Sequence, residues 1–106
     1  MKISVFELRL KVYTLVDINF EEILSTEAEY IDSAFALDDE WLRFHENNEY
    51  KYYTFSGLYP LAKDGIYKKD NVYTITIRTV DSRVEQYMIK TLANHHTDKM
   101  KGLTIT

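Results

Sequence analysis

Residues 3–13 read ISVFELRLKVY, and this stretch decides how the rest of the chain is interpreted. Apolar and polar side chains alternate along it, with Phe6, Leu8, Leu10 and Val12 on one side and Glu7, Arg9, Lys11 and Tyr13 on the other. Because successive side chains of a strand point to opposite faces of a sheet, this period of two predicts a strand with one face in a core.

The segment after this strand has the spacing of an amphipathic helix. Asn19 and Glu22 stand three residues apart, as in a capping box, and apolar residues then recur every three or four positions. We expect a helix over residues 20–35. Asp38 can cap a short second helical piece that an Asn-Asn pair then ends, so His45 is expected at or just beyond a helix end.

Two further strands are expected in the second half of the chain. Residues 50–55 are aromatic and β-prone, and residues 72–79 alternate in the same way as the first strand. The dipeptides Asp64-Gly65 and Asp70-Asn71 between them are turn signals, and a hairpin is the simplest connection.

The chain is then expected to end in a helix and a strand. Ser82 and Glu85 form a second possible capping box ahead of another helical apolar pattern. Residues 103–106 look like the beginning of a last strand, which is cut short. The order strand-helix-strand-strand-helix-strand predicts an α+β, ferredoxin-like split β-α-β domain, with two helices on one face of an antiparallel sheet.

Composition limits the function classes. The 106 residues fit one domain, 1–106, and the absence of cysteine excludes disulfides, thiolate metal sites and a cysteine nucleophile. No secretory or membrane-spanning segment is recognisable, so we expect a cytoplasmic protein without membrane contact. The net charge of −4 argues against autonomous nucleic-acid binding. We expect neither a cofactor nor a metal. The adjacent His95 and His96 would point about 100° apart on a helix, so they could not easily bind the same metal ion.

The stretch FHENNEYKYYTFSGL at residues 44–58 resembles the amino-terminal half of the CRISPR-associated endoribonucleases that process precursor RNA, the sixth family of Cas proteins. That family places a histidine before a short polar turn, a lysine, and a strand of the type Phe/Tyr-Thr-Phe-Ser-x-Leu. The resemblance continues at residues 73–79, at Asn94-His95 and at residues 101–104, and it spans nearly all of the chain.

The resemblance implies metal-independent RNA cleavage, in which the ribose 2′-hydroxyl attacks the adjacent phosphate and leaves a 2′,3′-cyclic phosphate. It assigns catalysis to His45, Tyr30 and Lys51, as proton carrier, orienting or relaying hydroxyl, and transition-state cation. The family generally has a second domain with a Gly-rich loop, which three glycines cannot supply here. The implied partners are CRISPR repeat RNA, other Cas proteins and a second copy of the chain, and no DNA is expected.

Each of these residues also has a structural interpretation. His45 is compatible with a helix end, Tyr30 with amphipathic packing, and Lys51 with protection of an edge strand. Three further lysines near the expected hairpin are candidate RNA contacts or simply a solvated turn, namely Lys63, Lys68 and Lys69. The alternative function is a non-catalytic interaction module on the same fold, or a degenerate half of a CRISPR nuclease, which pairs with other Cas proteins or with itself.

Overall fold

A computed structural model describes residues 4–39 and 53–106 of the chain. Within these ranges the strands are β1 (Phe6–Thr14), β2 (Ile18–Asn19), β3 (Tyr53–Phe55), β4 (Ile66–Tyr67), β5 (Val72–Thr79) and β6 (Met100–Ile105). The helices are α1 (Ile23–Phe35) and α2 (Ser82–Thr91), with short 3₁₀ turns at Phe20–Glu22 and Leu92–Asn94. The short helical piece expected after Asp38 falls largely outside these ranges.

The main sheet has four strands in the order β3-β5-β1-β6, and every neighbouring pair is antiparallel. This order places the first and third strands of the predicted six-element pattern in the centre, as the ferredoxin-like arrangement requires. The predicted α+β fold class is therefore confirmed. The connection from β3 to β5 is longer than a simple hairpin, because β4 lies between them and pairs with β2 in a separate two-stranded sheet.

One face of the main sheet and the two helices enclose the core. The buried strand positions alternate as expected, with Leu8, Leu10 and Val12 on β1 and Ile75 and Ile77 on β5. Both helices add buried side chains to the same cluster. The opposite face of the main sheet, which we call the open face, is not covered by either helix.

The helix starts differ from the predicted capping boxes. The Asn19 side chain makes no capping hydrogen bond, and a 3₁₀ turn precedes α1. The N-cap of α2 is Asp81, one residue before the expected Ser82, and its carboxylate accepts a hydrogen bond from the Arg83 amide at 2.8 Å. A carboxylate at this position also offsets the positive end of the helix dipole.

Strand β6 begins at Met100, three residues earlier than expected, and contains a bulge. Lys11 faces Thr104 while Val12 faces Gly102, so Leu103 is an extra residue in the pairing. Backbone hydrogen bonds between Arg9 and the last residue continue the ladder. Among the described residues, the start of β1 therefore has a partner strand only on its β5 side.

Candidate nucleic-acid interface

The open face carries the polar positions of β1 and of its two neighbours. The strand register sets Glu7 opposite Arg78, Arg9 opposite Thr76 and Lys11 opposite Thr74. On the other side of β1, Thr104 lies opposite Lys11 and Lys101 lies opposite Tyr13. Because directly opposite residues of an antiparallel pair share a face, the alternation within each strand becomes one continuous polar surface.

A concavity of about 530 Å³ lies on this surface. Its lining combines two cations, Arg9 and Lys11, with the ring of Tyr59 and four threonines at positions 74, 76, 104 and 106. None of these described lining side chains is a carboxylate. Cations attract phosphates, hydroxyls donate to phosphate and ribose oxygens, and an exposed ring can stack on a base, so the lining suits a nucleic-acid strand.

Of the aromatic side chains in the described ranges, Tyr59 is the best exposed for such stacking. It is 71% exposed, and its backbone pairs with Thr74 of β5 through two hydrogen bonds of 2.8 and 3.0 Å. The backbone is thus fixed to the sheet while the ring remains accessible. This combination limits the conformational entropy lost when a base stacks on the ring.

Cations and a carboxylate meet at the β5 side of the open face. Glu7 accepts two hydrogen bonds from Arg78, at 2.8 and 3.1 Å, and its other oxygen lies 3.9 Å from Arg9. These side chains are all more than a third exposed, so water screens the pairs. Lys11 has no carboxylate within ion-pair distance among the described residues, which leaves its ammonium group available.

The structure gives Tyr30 a structural position. Its side chain is fully buried, and its hydroxyl donates to the carbonyl oxygens of Leu92, at 2.6 Å, and His95, at 3.0 Å. Burial raises the pKa of this hydroxyl above its ordinary value. These contacts connect α1 to the segment between α2 and β6 and favour the packing interpretation of Tyr30. Its catalytic role stays a prediction.

Gly102 lies against this Tyr30 contact. A Cβ atom at Gly102 would overlap the carbonyl oxygen of Leu92 and the hydroxyl of Tyr30. The Gly102 amide donates to the His95 carbonyl at 2.8 Å. Only a residue without a side chain permits this close approach of backbone and phenol.

The other two predicted catalytic residues, His45 and Lys51, lie outside the described residues, so whether the three side chains converge stays a prediction. The lysines predicted to contact RNA are described: Lys63, Lys68 and Lys69 are exposed and do not line the sheet concavity. Lys68 lies 3.7 Å from the Asp64 carboxylate, and the Lys69 amide donates to Asp17. Acidic neighbours therefore weaken this segment as an anion-binding surface.

His95 forms a second polar arrangement, next to Tyr30. Its Nε2 lies 2.7 Å from the Ser33 hydroxyl, and burial, followed by the neighbouring His96, lowers the pKa of its imidazole. A cavity of about 320 Å³ opens beside it between the carboxyl-terminal ends of α1 and α2. Asp38 and Lys90 both line this cavity, and helix carboxyl ends carry partial negative charge, so the lining has no excess of positive charge to attract a phosphate.

Glu27 is a buried carboxyl group that sequence patterns did not single out. It is fully buried on α1, and neither carboxylate oxygen has a hydrogen-bond partner among the residues that the structure describes. Burial raises its pKa from 4.5 to about 8. Burial raises the pKa of the Tyr67 hydroxyl, and the charge of the nearby Glu27 raises it further by a smaller amount.

The described part of the chain offers neither a cluster for a metal ion nor a helix that could cross a membrane. No group of three or more histidine or acidic side chains is arranged to hold a metal ion among these residues. Nor does any of the described helices combine the length and the apolar character needed to cross a bilayer.

The open-face residues were present in the sequence pattern but not assigned a function there. The alternation of residues 3–13 assigns Arg9 and Lys11 to the polar side of a strand. What the pattern lacks is the register, which brings threonines and Tyr59 from three other segments beside them. Comparisons with protein-family models, curated proteins and solved structures returned no match for this chain.

Proposed function

We propose that this chain is the amino-terminal, RNA-binding domain of an endoribonuclease that processes precursor CRISPR RNA. The observation that carries the proposal is the concavity on the open face, whose lining side chains combine Arg9 and Lys11 with Tyr59 and four hydroxyls and include no carboxylate among the described residues. This surface answers the objection from the net charge of −4, since cations are concentrated where a strand would bind.

The proposed chemistry needs no metal ion. A base removes the proton from the 2′-hydroxyl, the resulting oxygen attacks the adjacent phosphorus, and the bond from phosphorus to the 5′-oxygen breaks. The leaving 5′-oxygen takes a proton, so the products are a 2′,3′-cyclic phosphate and a 5′-hydroxyl. His45 is proposed to carry a proton and Lys51 to stabilise the charge on the phosphorane, because an imidazole titrates near neutral pH and an ammonium group does not.

Cleavage of repeat RNA in EDTA tests the proposal. We expect product from the wild-type protein, or from a longer form if the reading frame continues, and no product from His45→Ala. The matched control is His96→Ala, which removes an exposed imidazole and should still cut. A repeat with a single 2′-deoxy sugar at the cut site should bind without being cleaved. Wild-type protein that neither binds nor cuts any repeat from its own locus would refute the proposal.

One observation favours a second function, namely an interaction module that binds RNA or protein without cleaving RNA. The Tyr30 hydroxyl, assigned to the catalytic set by the resemblance, is buried and bonded to two backbone carbonyls. For this second function, the same assay should give RNA binding, or association with other Cas proteins or with a second copy, and no cyclic phosphate product.

A further inference from the structure

We propose that Glu7 limits RNA affinity at the open face by acting as an internal competitor of the RNA phosphates for Arg78 and Arg9. The inference rests on the proposed function, because it concerns the same RNA-binding face. It assigns to Glu7 a role in setting how tightly a phosphodiester strand binds and which end of the concavity contacts the strand most strongly.

The geometry of the Glu7 contacts is the first step. Glu7 lies directly opposite Arg78 in the β1–β5 pair, and a single carboxylate oxygen accepts from Nε at 3.1 Å and from Nη2 at 2.8 Å. These two groups form the edge of the guanidinium that also recognises phosphate. While Glu7 holds this edge, Arg78 cannot present it to a ligand.

The second carboxylate oxygen extends the effect to the concavity. It lies 3.9 Å from Nη2 of Arg9, which lines the concavity, whereas Lys11 at the other end has no such partner among the described residues. A phosphate beside Arg9 would meet the negative charge of Glu7 as well. Two opposite charges about 4 Å apart in water attract by about 1 kcal/mol, which is the Glu7–Arg9 interaction that a phosphate has to compete with.

The strength of the competition follows from exposure. The side chains of Arg78 and Glu7 are 60% and 39% exposed, and exposed ion pairs contribute at most about 1 kcal/mol. A phosphate can therefore displace Glu7 at a modest cost. The carboxylate thus reduces affinity by a limited factor and does not close the site. The strand should be held most strongly at the Lys11 end.

The experiment measures binding of a fluorescent single-stranded repeat RNA by anisotropy at several salt concentrations. Glu7→Gln keeps the size of the side chain and removes its charge. We expect its affinity to exceed that of the wild type about threefold to tenfold at low salt, because both arginines become available. The plot of log affinity against log salt should steepen by about 0.7 for each arginine that gains a phosphate contact.

Two variants separate this effect from a general change in charge. Glu29→Gln changes the net charge equally, but its exposed side chain lies on α1, away from the open face, and its affinity should remain within about twofold of the wild type. In the Glu7→Gln background, Arg78→Gln should cancel much of the gain, whereas in the wild type it should have little effect.

The outcomes distinguish the inference from the proposed function. If the wild type binds RNA and Glu7→Gln binds no better than Glu29→Gln, the competitor role of Glu7 is refuted and the RNA-binding proposal stands. The competitor role is also refuted, and the RNA-binding proposal stands, if adding Arg78→Gln to Glu7→Gln changes neither the gain in RNA affinity nor the salt slope. If neither the wild type nor Glu7→Gln binds, both the open-face proposal and this inference are refuted.

Discussion

Raising the pH should destabilise this protein through Glu27. In the folded state its carboxyl is fully buried and has no hydrogen-bond partner within residues 4–39 and 53–106, and burial raises its pKa from 4.5 to about 8. Between these two values the folded protein keeps a proton that the unfolded chain releases. The contribution of this group to the free energy of unfolding is therefore fully present below about pH 4.5, and it is lost as the pH rises towards about 8.

The size of the effect follows from the same two values. Each pH unit in the window costs up to about 1.4 kcal/mol, so the full loss is on the order of 5 kcal/mol. This is comparable to the total stability of a small domain. Urea unfolding followed by circular dichroism, repeated between about pH 5 and pH 9, measures it as a falling free energy of unfolding.

Two variants make this prediction specific. Glu27→Gln cannot ionise, so its free energy of unfolding should vary much less with pH and should exceed that of the wild type at high pH. Glu29→Gln removes an exposed carboxylate from the same helix and should retain the wild-type slope. If the curves of the wild type and Glu27→Gln are parallel across the window, the buried, unpaired state of this carboxyl is wrong.

Three further predictions concern stability and are measured by urea unfolding. Tyr30→Phe removes the hydroxyl donor from two backbone carbonyls, which keep amide donors from His95 and Gly102, and should cost about 1 kcal/mol; undiminished stability would contradict the observed contacts. Gly102→Ala should cost a few kcal/mol or prevent folding because its Cβ overlaps backbone, whereas Gly57→Ala meets no atom within 4 Å and should be tolerated. Asp81→Ala removes the N-cap of α2 and should cost about 1 kcal/mol, whereas Ser82→Ala should be nearly neutral. If Ser82→Ala cost more than Asp81→Ala, the N-cap would be Ser82, as the sequence pattern predicts. Since the Arg83 contacts lower the pKa of Asp81, this contribution should be present above its ordinary value of 3.8 and disappear at more acidic pH.

The fold could be predicted from the sequence because its central elements have strong periodicity. The alternation along β1 and β5 and the helical spacing of α1 and α2 each indicate one buried face, and the observed burial follows them. The small sheet of β2 and β4 could not be predicted, since two-residue strands are too short to show a period. The N-cap of α2 was misplaced by one residue because Asp81 and Ser82 are both good caps.

The candidate site was harder to predict because it depends on pairing between distant segments. Arg9 and Lys11 are visible as polar positions of one strand, but their neighbours Thr74 and Thr104 follow only from the register. The Tyr30 hydroxyl likewise donates to the carbonyl of Leu92, which lies 62 residues away in the sequence and therefore outside any local pattern. The resemblance to a nuclease family supplied catalytic candidates on residue type, and it carried no information on the open face.

The bulge at Leu103 determines which side chains of β6 the ligand surface receives. With the extra residue, Thr104 lies opposite Lys11 on the open face and Ile105 lies opposite Leu10 over the core. If the same residues paired without a bulge, Leu103 would lie opposite Lys11 on the open face and Thr104 opposite Leu10 over the core, so the threonine and the isoleucine would exchange sides. Deleting Leu103 would give a regular pairing that leaves Thr104 and Ile105 on their present sides, so the bulge allows the strand to hold one more residue while it keeps the threonine on the ligand surface.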